Sequence, residues 1–201
     1  MKDTTKDLLR SLKMTAGSRF NAGKRMEKHD RRLTFLTAMT SAYVIALTVL
    51  PYFIKLPVPV TDHLNLFTVV LSVVILISSL LQYSSNNTVK AEQYHRSALE
   101  INELRRELKI KAEVISDKDF LVFSGRYNSV LQKYSVNHDD IDYDLYKLER
   151  PEEFPGLTTI GKIPLYAKIF FYNNTPNAVL FGLTLLVLWL VFYYAIPQAT
   201  S

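Results

Sequence analysis

LTFLTAMTSAYVIALTVLPYFI, residues 33–54, runs for 22 positions without a charged side chain. A helix needs about 20 apolar residues to cross roughly 30 Å of hydrocarbon, and buried strands of soluble proteins run only about 4–8. Length therefore makes this stretch a membrane span. A second uncharged run, LNLFTVVLSVVILISSLLQY, covers 64–83. Its β-branched residues would favour a strand in water, but its length favours a span. A third, 178–196, supplies 19 uncharged residues. The fold expected is an all-α membrane protein: a two-helix transmembrane hairpin (33–54, 64–83), a cytoplasmic helical bundle continuing from the second span, and a third C-terminal transmembrane helix.

Between the first two spans, Lys55–His63 holds Pro57 and Pro59, read as an extended turn that proline enforces. Pro51 is expected to kink the end of the first span. For the third, Thr175 is placed to cap the helix and Pro176 to occupy its first position. Phe170, Phe171 and Tyr172 lie about 20 residues before Phe192, Tyr193 and Tyr194, a separation near one bilayer at ~1.5 Å per residue. These clusters read as aromatic belts.

Lysine and arginine collect on cytoplasmic flanks. Residues 1–32 carry ten, the hairpin linker only Lys55, and 84–177 thirteen; none follows Ile196. The expected topology has the N-terminus and 84–177 in the cytoplasm and the hairpin tip and 197–201 tail outside. The net charge of +5 fits contact with anionic lipid. Only Phe20 offers an aromatic stacking partner in the basic segment, which argues against direct nucleic-acid binding. Leu9, Leu12, Ala16 and Phe20 fall at helical spacing, as in a helix lying on a membrane surface. Cysteine is absent, excluding disulfides and thiolate metal sites.

The cytoplasmic segment 84–150 begins as a helix from about Asn86 to Ile115. Tyr94, Ala98, Ile101, Arg105, Leu108, Ala112 and Ile115 alternate four and three apart, a seam with one charged interruption. It either packs against later helices of the same chain or assembles copies; its apolar members are candidate assembly residues. Glu92–Arg96 and Glu107–Lys111 are helix-supporting pairs. Ser116 with Asp119 marks the next helix, whose face carries Phe120, Phe123, Tyr127, Val130, Leu131 and Tyr134. Residues 151–177 read as a linker and interfacial segment.

Chemistry is hard to find. Gly156–Lys162 matches the first part of a phosphate-binding loop, but Ile163 replaces the magnesium-holding hydroxyl and prolines flank it. Asp140, Asp142 and Asp144 match half a calcium loop, but Leu145 stands where glycine is required. His29, His95 and His138 have no partner at metal-site spacing. No enzyme, cofactor or metal is expected. The hydroxyls Thr34, Thr37, Ser41 and Thr48, with Thr68, Ser72 and Ser79, lie in stripes that mark either helix packing or a weakly polar pore wall. The spans hold no ionisable group, against a proton-coupled transporter.

SRFNAGKRMEKHDRRLTFLTAMTSAYVIAL (18–47), with YNSVLQKYSVNHDDIDYDLYK (127–147), resembles the SLATT domains, two-transmembrane effectors of bacterial conflict systems. The resemblance covers roughly 10–148. It is carried by Arg19 and Arg25 before the first span and by Asn137-His138 through Asp142-Tyr143. The subgroup most alike in appearance accompanies reverse transcriptases. The resemblance implies a homo-oligomeric effector of antiphage defence that permeabilises the inner membrane in abortive infection. A sensor or nucleotide-synthesising partner encoded nearby would trigger it. A membrane anchor recruiting a soluble enzyme is the alternative, and a transporter subunit a weaker third.

Overall fold

The computed structural model describes residues 2–195, and among them every regular element is helical: α1 (Lys2–Phe53), α2 (Val58–Ser85), α3 (Asn87–Lys111), α4 (Asp117–Lys133), α5 (Asp140–Glu149) and α6 (Thr159–Ala195), with a single 3₁₀ turn at Pro151–Glu153. The chain forms two compact units. Residues up to Lys28 join 87–171 in one, and 29–86 join the chain from Tyr172 onward in the other.

The first unit is a helical bundle. Its core holds Leu12 and Ala16 of α1, Ile101, Leu104 and Leu108 of α3, Ile115, and Phe123 of α4. Leu12, Ile101 and Leu108 have no exposed surface, and such burial stabilises by about 1.5–3 kcal/mol per side chain. One expectation changes here. Leu9, Leu12, Ala16 and Phe20 do not lie on a lipid surface, because the first two of α1's apolar anchors, Leu9 and Leu12, join this core together with Ala16, and Phe20 meets His95 edge-on at 5.6 Å. The seam of α3 takes the first of its two expected alternatives and packs within the chain. Tyr94, Ala98, Ile101, Leu108 and Ile115 are buried, with Ala112 half-exposed.

The expected helix 86–115 is shorter than its periodicity suggested. Asn86 adopts φ 49 and ψ 36, the left-handed conformation that asparagine tolerates, and separates α2 from α3. Lys111 ends α3, so Ile115 is buried from the connection to α4. Ser116 then caps α4 by accepting from the Asp119 N–H at 3.1 Å. Arg96 pairs with Glu92 at 2.6 Å. Glu107 instead takes both guanidinium nitrogens of Arg126 on α4, at 2.6 and 3.1 Å. A planar fork reaching across helices displaces the simpler lysine pair.

The second unit contains the hairpin. α1 is one 52-residue helix running through Arg31–Arg32 into the apolar run, with Pro51 two residues from its end. The turn is tighter than 55–63. Pro57 flanks α2 and Pro59 sits in its first turn, where a missing N–H breaks no helical bond. Leu47 and Leu64 form a small cluster with Tyr43, Leu50, Leu56, Val60 and Phe67 near that turn. At the far end, Gln82 donates to Thr34 Oγ1 at 2.8 Å and to Asp30 Oδ1 at 3.2 Å. Most other large side chains point away from the protein: Leu66, Val69, Leu76, Leu80 and Leu81 are each more than half exposed. Only 11% and 17% of the most apolar windows of the two long helices are buried. A core helix of a soluble protein would be mostly covered, so the chain is a membrane protein with two candidate spans.

α6 begins at Thr159, not after Asn177. Thr158, rather than Thr175, does the capping: its Oγ1 accepts from the Gly161 N–H at 3.2 Å. Pro176 therefore lies within a helix instead of opening one. Much of the expected linker 151–177 is helical, and Gly156–Lys162 spans a turn and the start of α6. The backbone of 178–195 is helical, and Tyr43 OH lies 2.7 Å from Thr184 Oγ1. The side chains of Phe192, Tyr193 and Tyr194, residue Ile196 and the 197–201 tail lie outside the described residues.

Candidate functional site: a buried arginine clamp

Arg19 and Arg25 lie on α1, six residues apart, and both are buried. The stretch from Asn137 to Asp142 is brought against them from the other end of the chain. Arg25 Nε donates to Asp142 Oδ1 at 2.7 Å and its Nη2 to Asp142 Oδ2 at 2.9 Å. The same Nη2 reaches Asp139 Oδ2 at 2.6 Å. Asp142 is 1% exposed. Its Oδ2 also accepts from the Asp139 N–H at 3.0 Å, which completes a capping box at the start of α5. One carboxylate thus satisfies the amide at the start of α5 and neutralises a cation from α1.

Arg19 donates to Ser97 Oγ on α3 and to the Val136 carbonyl at 3.1 Å. Burial lowers its pKa from the ordinary arginine value, with the neighbouring Tyr127 and Tyr94 opposing. Tyr94 OH donates to the Asn137 carbonyl at 2.5 Å; burial, and then the Asp139 and Asp142 charges, raise its pKa. Asn21 Nδ2 reaches the Asp142 carbonyl and Glu149. His138 is half-buried, and desolvation lowers its pKa below 6.5 against the pull of Asp142. Close backbone approach makes the clamp possible. A Cβ at Gly17 would lie 2.3 Å from the Tyr146 ring of α5, and one at Gly23 would lie 3.2 Å from the Ala91 carbonyl of α3.

The half calcium loop is dismantled by these contacts. Asp142 serves Arg25, and Asp144 takes Lys147 at 2.7 Å and Lys168 at 2.8 Å. Burial alone would raise the Asp144 carboxyl, but the two lysines outweigh it and hold it low. Their oxygens are occupied by cations already in the chain. The arrangement locks α1, α3 and α5 together.

The hydroxyls expected to line a path do not share one environment. Thr34 and Thr48 are exposed, Thr37 and Ser41 half-buried, Thr68 buried, and Ser72 and Ser79 exposed. Most bond their own helix: Ser41 to the Thr37 carbonyl, Thr48 to Val44, Thr68 to Asn65 and Ser72 to Thr68, each at 2.8 Å. Thr34 is joined to α2 by Gln82. Sequence reasoning missed Gln82, although it was the single amide near the end of the second run. It also missed that Arg25 and Asp142 pair; the available signal was Asp139 three residues before Asp142, a capping pattern.

The family described as SMODS and SLOG-associating 2TM effector domain family 5 matches residues 1–195. No curated protein and no solved structure matches the chain significantly.

Proposed function

The chain belongs to this two-transmembrane effector family, and from that premise we propose that it is a membrane effector of bacterial antiphage defence. Copies associate and permeabilise the inner membrane when a partner encoded nearby triggers them. The observation that carries this reading is the hairpin's outward apolar surface. The N-terminus and the bundle lie in the cytoplasm, following the lysine and arginine distribution. Residues 178–196 form a third span that brings the C-terminus outside; the Tyr43–Thr184 hydrogen bond supports its packing beside α1. Since α3's seam is covered within the chain, association runs through the membrane helices. The self-bonded hydroxyls of Ser41 and Thr48 suit a helix that inserts alone before it assembles, because each is satisfied by its own backbone.

The test is Thr37→Leu with Ser41→Leu. In bacteria carrying the neighbouring genes and challenged with phage, potassium efflux should be lost while the protein remains in the membrane fraction. Undiminished efflux would remove the hydroxyl stripe from the conducting path.

One observation favours a second reading, a scaffold that recruits a soluble enzyme. Leu121 and Val122 of α4, and Ile110 and Val114 beside it in the same bundle, are more than half exposed. Such a scaffold predicts a stable complex and no efflux.

A further inference from the structure

Arg105 interrupts the apolar seam of α3, and its place in the bundle explains why. It lines a cavity of about 150 Å³ with Lys13, Phe20, Asn102, Tyr146 and Arg150, next to the backbone of Gly17. A second, open hollow of about 380 Å³ adjoins it through Lys13 and Arg105, and adds Arg10 and Lys109. Five cations therefore converge from α1, α3 and the end of α5. The carboxylate facing them is Glu153 of the 3₁₀ turn. It takes Lys13 at 2.5 Å and Arg150 at 3.9 Å, and accepts from Tyr146 OH at 2.8 Å. Arg105 is left without it. Arg105 Nε donates to Asn102 Oδ1 at 3.2 Å, and among the described residues no carboxylate stands at ion-pair distance from it.

We propose that this cavity binds a phosphate-bearing anion. A guanidinium held by one nitrogen keeps its remaining N–H groups for the two-pronged contact that phosphate accepts. Arg150 and Lys13 supply further donors, and Phe20 and Tyr146 wall the cavity with aromatic surface. The Tyr146 ring is held against Gly17, where any larger residue would displace it. Glu153 is the internal counter-ion: it neutralises Lys13 and Arg150 when the cavity is empty and competes with an arriving anion. Anion binding here requires neither conductance nor assembly, so it stands or falls apart from the effector role.

The experiment titrates sodium pyrophosphate, and separately AMP, into the full-length protein in phosphatidylcholine nanodiscs, followed by calorimetry. Saturable binding of either probe is expected. Arg105→Gln should weaken it about tenfold or more, the worth of one charge-assisted contact. Glu153→Gln should strengthen it, and Arg126→Gln, on α4, should leave it unchanged. Repeating the titration in nanodiscs containing phosphatidylglycerol separates the sources. Competition by that lipid assigns the cavity to a phosphate headgroup, and undiminished probe binding assigns it to a soluble phosphate. Glu153→Gln keeps the test sound if Arg105→Gln unfolds the bundle, which hydrogen exchange over α3 reports. Absence of saturable binding together with no effect of phosphatidylglycerol, or binding indifferent to both the Arg105 and Glu153 variants, would overturn the proposal.

Discussion

Replacing Asp142 by asparagine should loosen the bundle more than any other isosteric change. The substitution keeps the shape and removes the charge. Arg25, whose side chain is 8% exposed, would lose its two-pronged partner, while the pair with Asp139, whose side chain is 63% exposed, remains. Stranding one member of a buried pair costs about 3–5 kcal/mol. The amide oxygen replaces the capping oxygen at the start of α5 in only one orientation, so part of a cap worth ~1 kcal/mol is also at stake. Global melting suits this protein poorly, because membrane helices outlast a bundle in detergent. Hydrogen–deuterium exchange on peptides from α5 and α3 reads the local opening directly. The expected loss of protection there is on the order of 10²–10⁴-fold, the exchange equivalent of that free energy. Peptides from α2 should be unaffected. A variant protected to within a few-fold of the parent would refute the clamp as the element that holds α5 to α1.

Three further outcomes are expected. Gly17→Val drives a side chain into the Tyr146 ring and should cost about 1–3 kcal/mol by overpacking, with Tyr146→Ala partly restoring exchange protection in the double variant. Leu108→Ala, at a fully buried seam position, should destabilise the bundle by about 2–5 kcal/mol while leaving the oligomeric state in light scattering unchanged. A loss of assembly with intact protection would return the seam to contacts between copies. Bundle stability should also fall as pH drops below 6.5. Burial holds the folded His138 below its ordinary value, so the unfolded chain binds the proton more readily, and stability is complete only above 6.5. Asp144 and Glu153, both held low in the fold, add losses only below their ordinary 3.8 and 4.5. Protection measured across that range should respond to pH, and His138→Gln should flatten the upper part of the response.

The hairpin was legible because charge-free length is itself a physical constraint: 33–54 has no other stable home. Its turn was misplaced because proline reads as a breaker in sequence, yet Pro59 is harmless in a first helical turn. The same ambiguity moved the start of α6. Thr158 and Thr175 both carry cap chemistry, and the amphipathic residues between them are compatible with helix or linker. Periodicity identified the covered face of α3, since Ile101 and Leu108 repeat at helical spacing, but a repeat cannot say what covers it. The clamp was the least readable. Arg25 and Asp142 stand 117 positions apart, and only folding makes them neighbours, although both belong to the stretches that carry the family resemblance.

The effector account is tested most directly by membrane potential. Dye fluorescence would be followed in bacteria expressing the chain with its neighbouring genes and then infected with phage. The account predicts a rapid depolarisation that requires this protein and precedes lysis. A steady potential throughout infection, with the protein confirmed in the membrane, would contradict it.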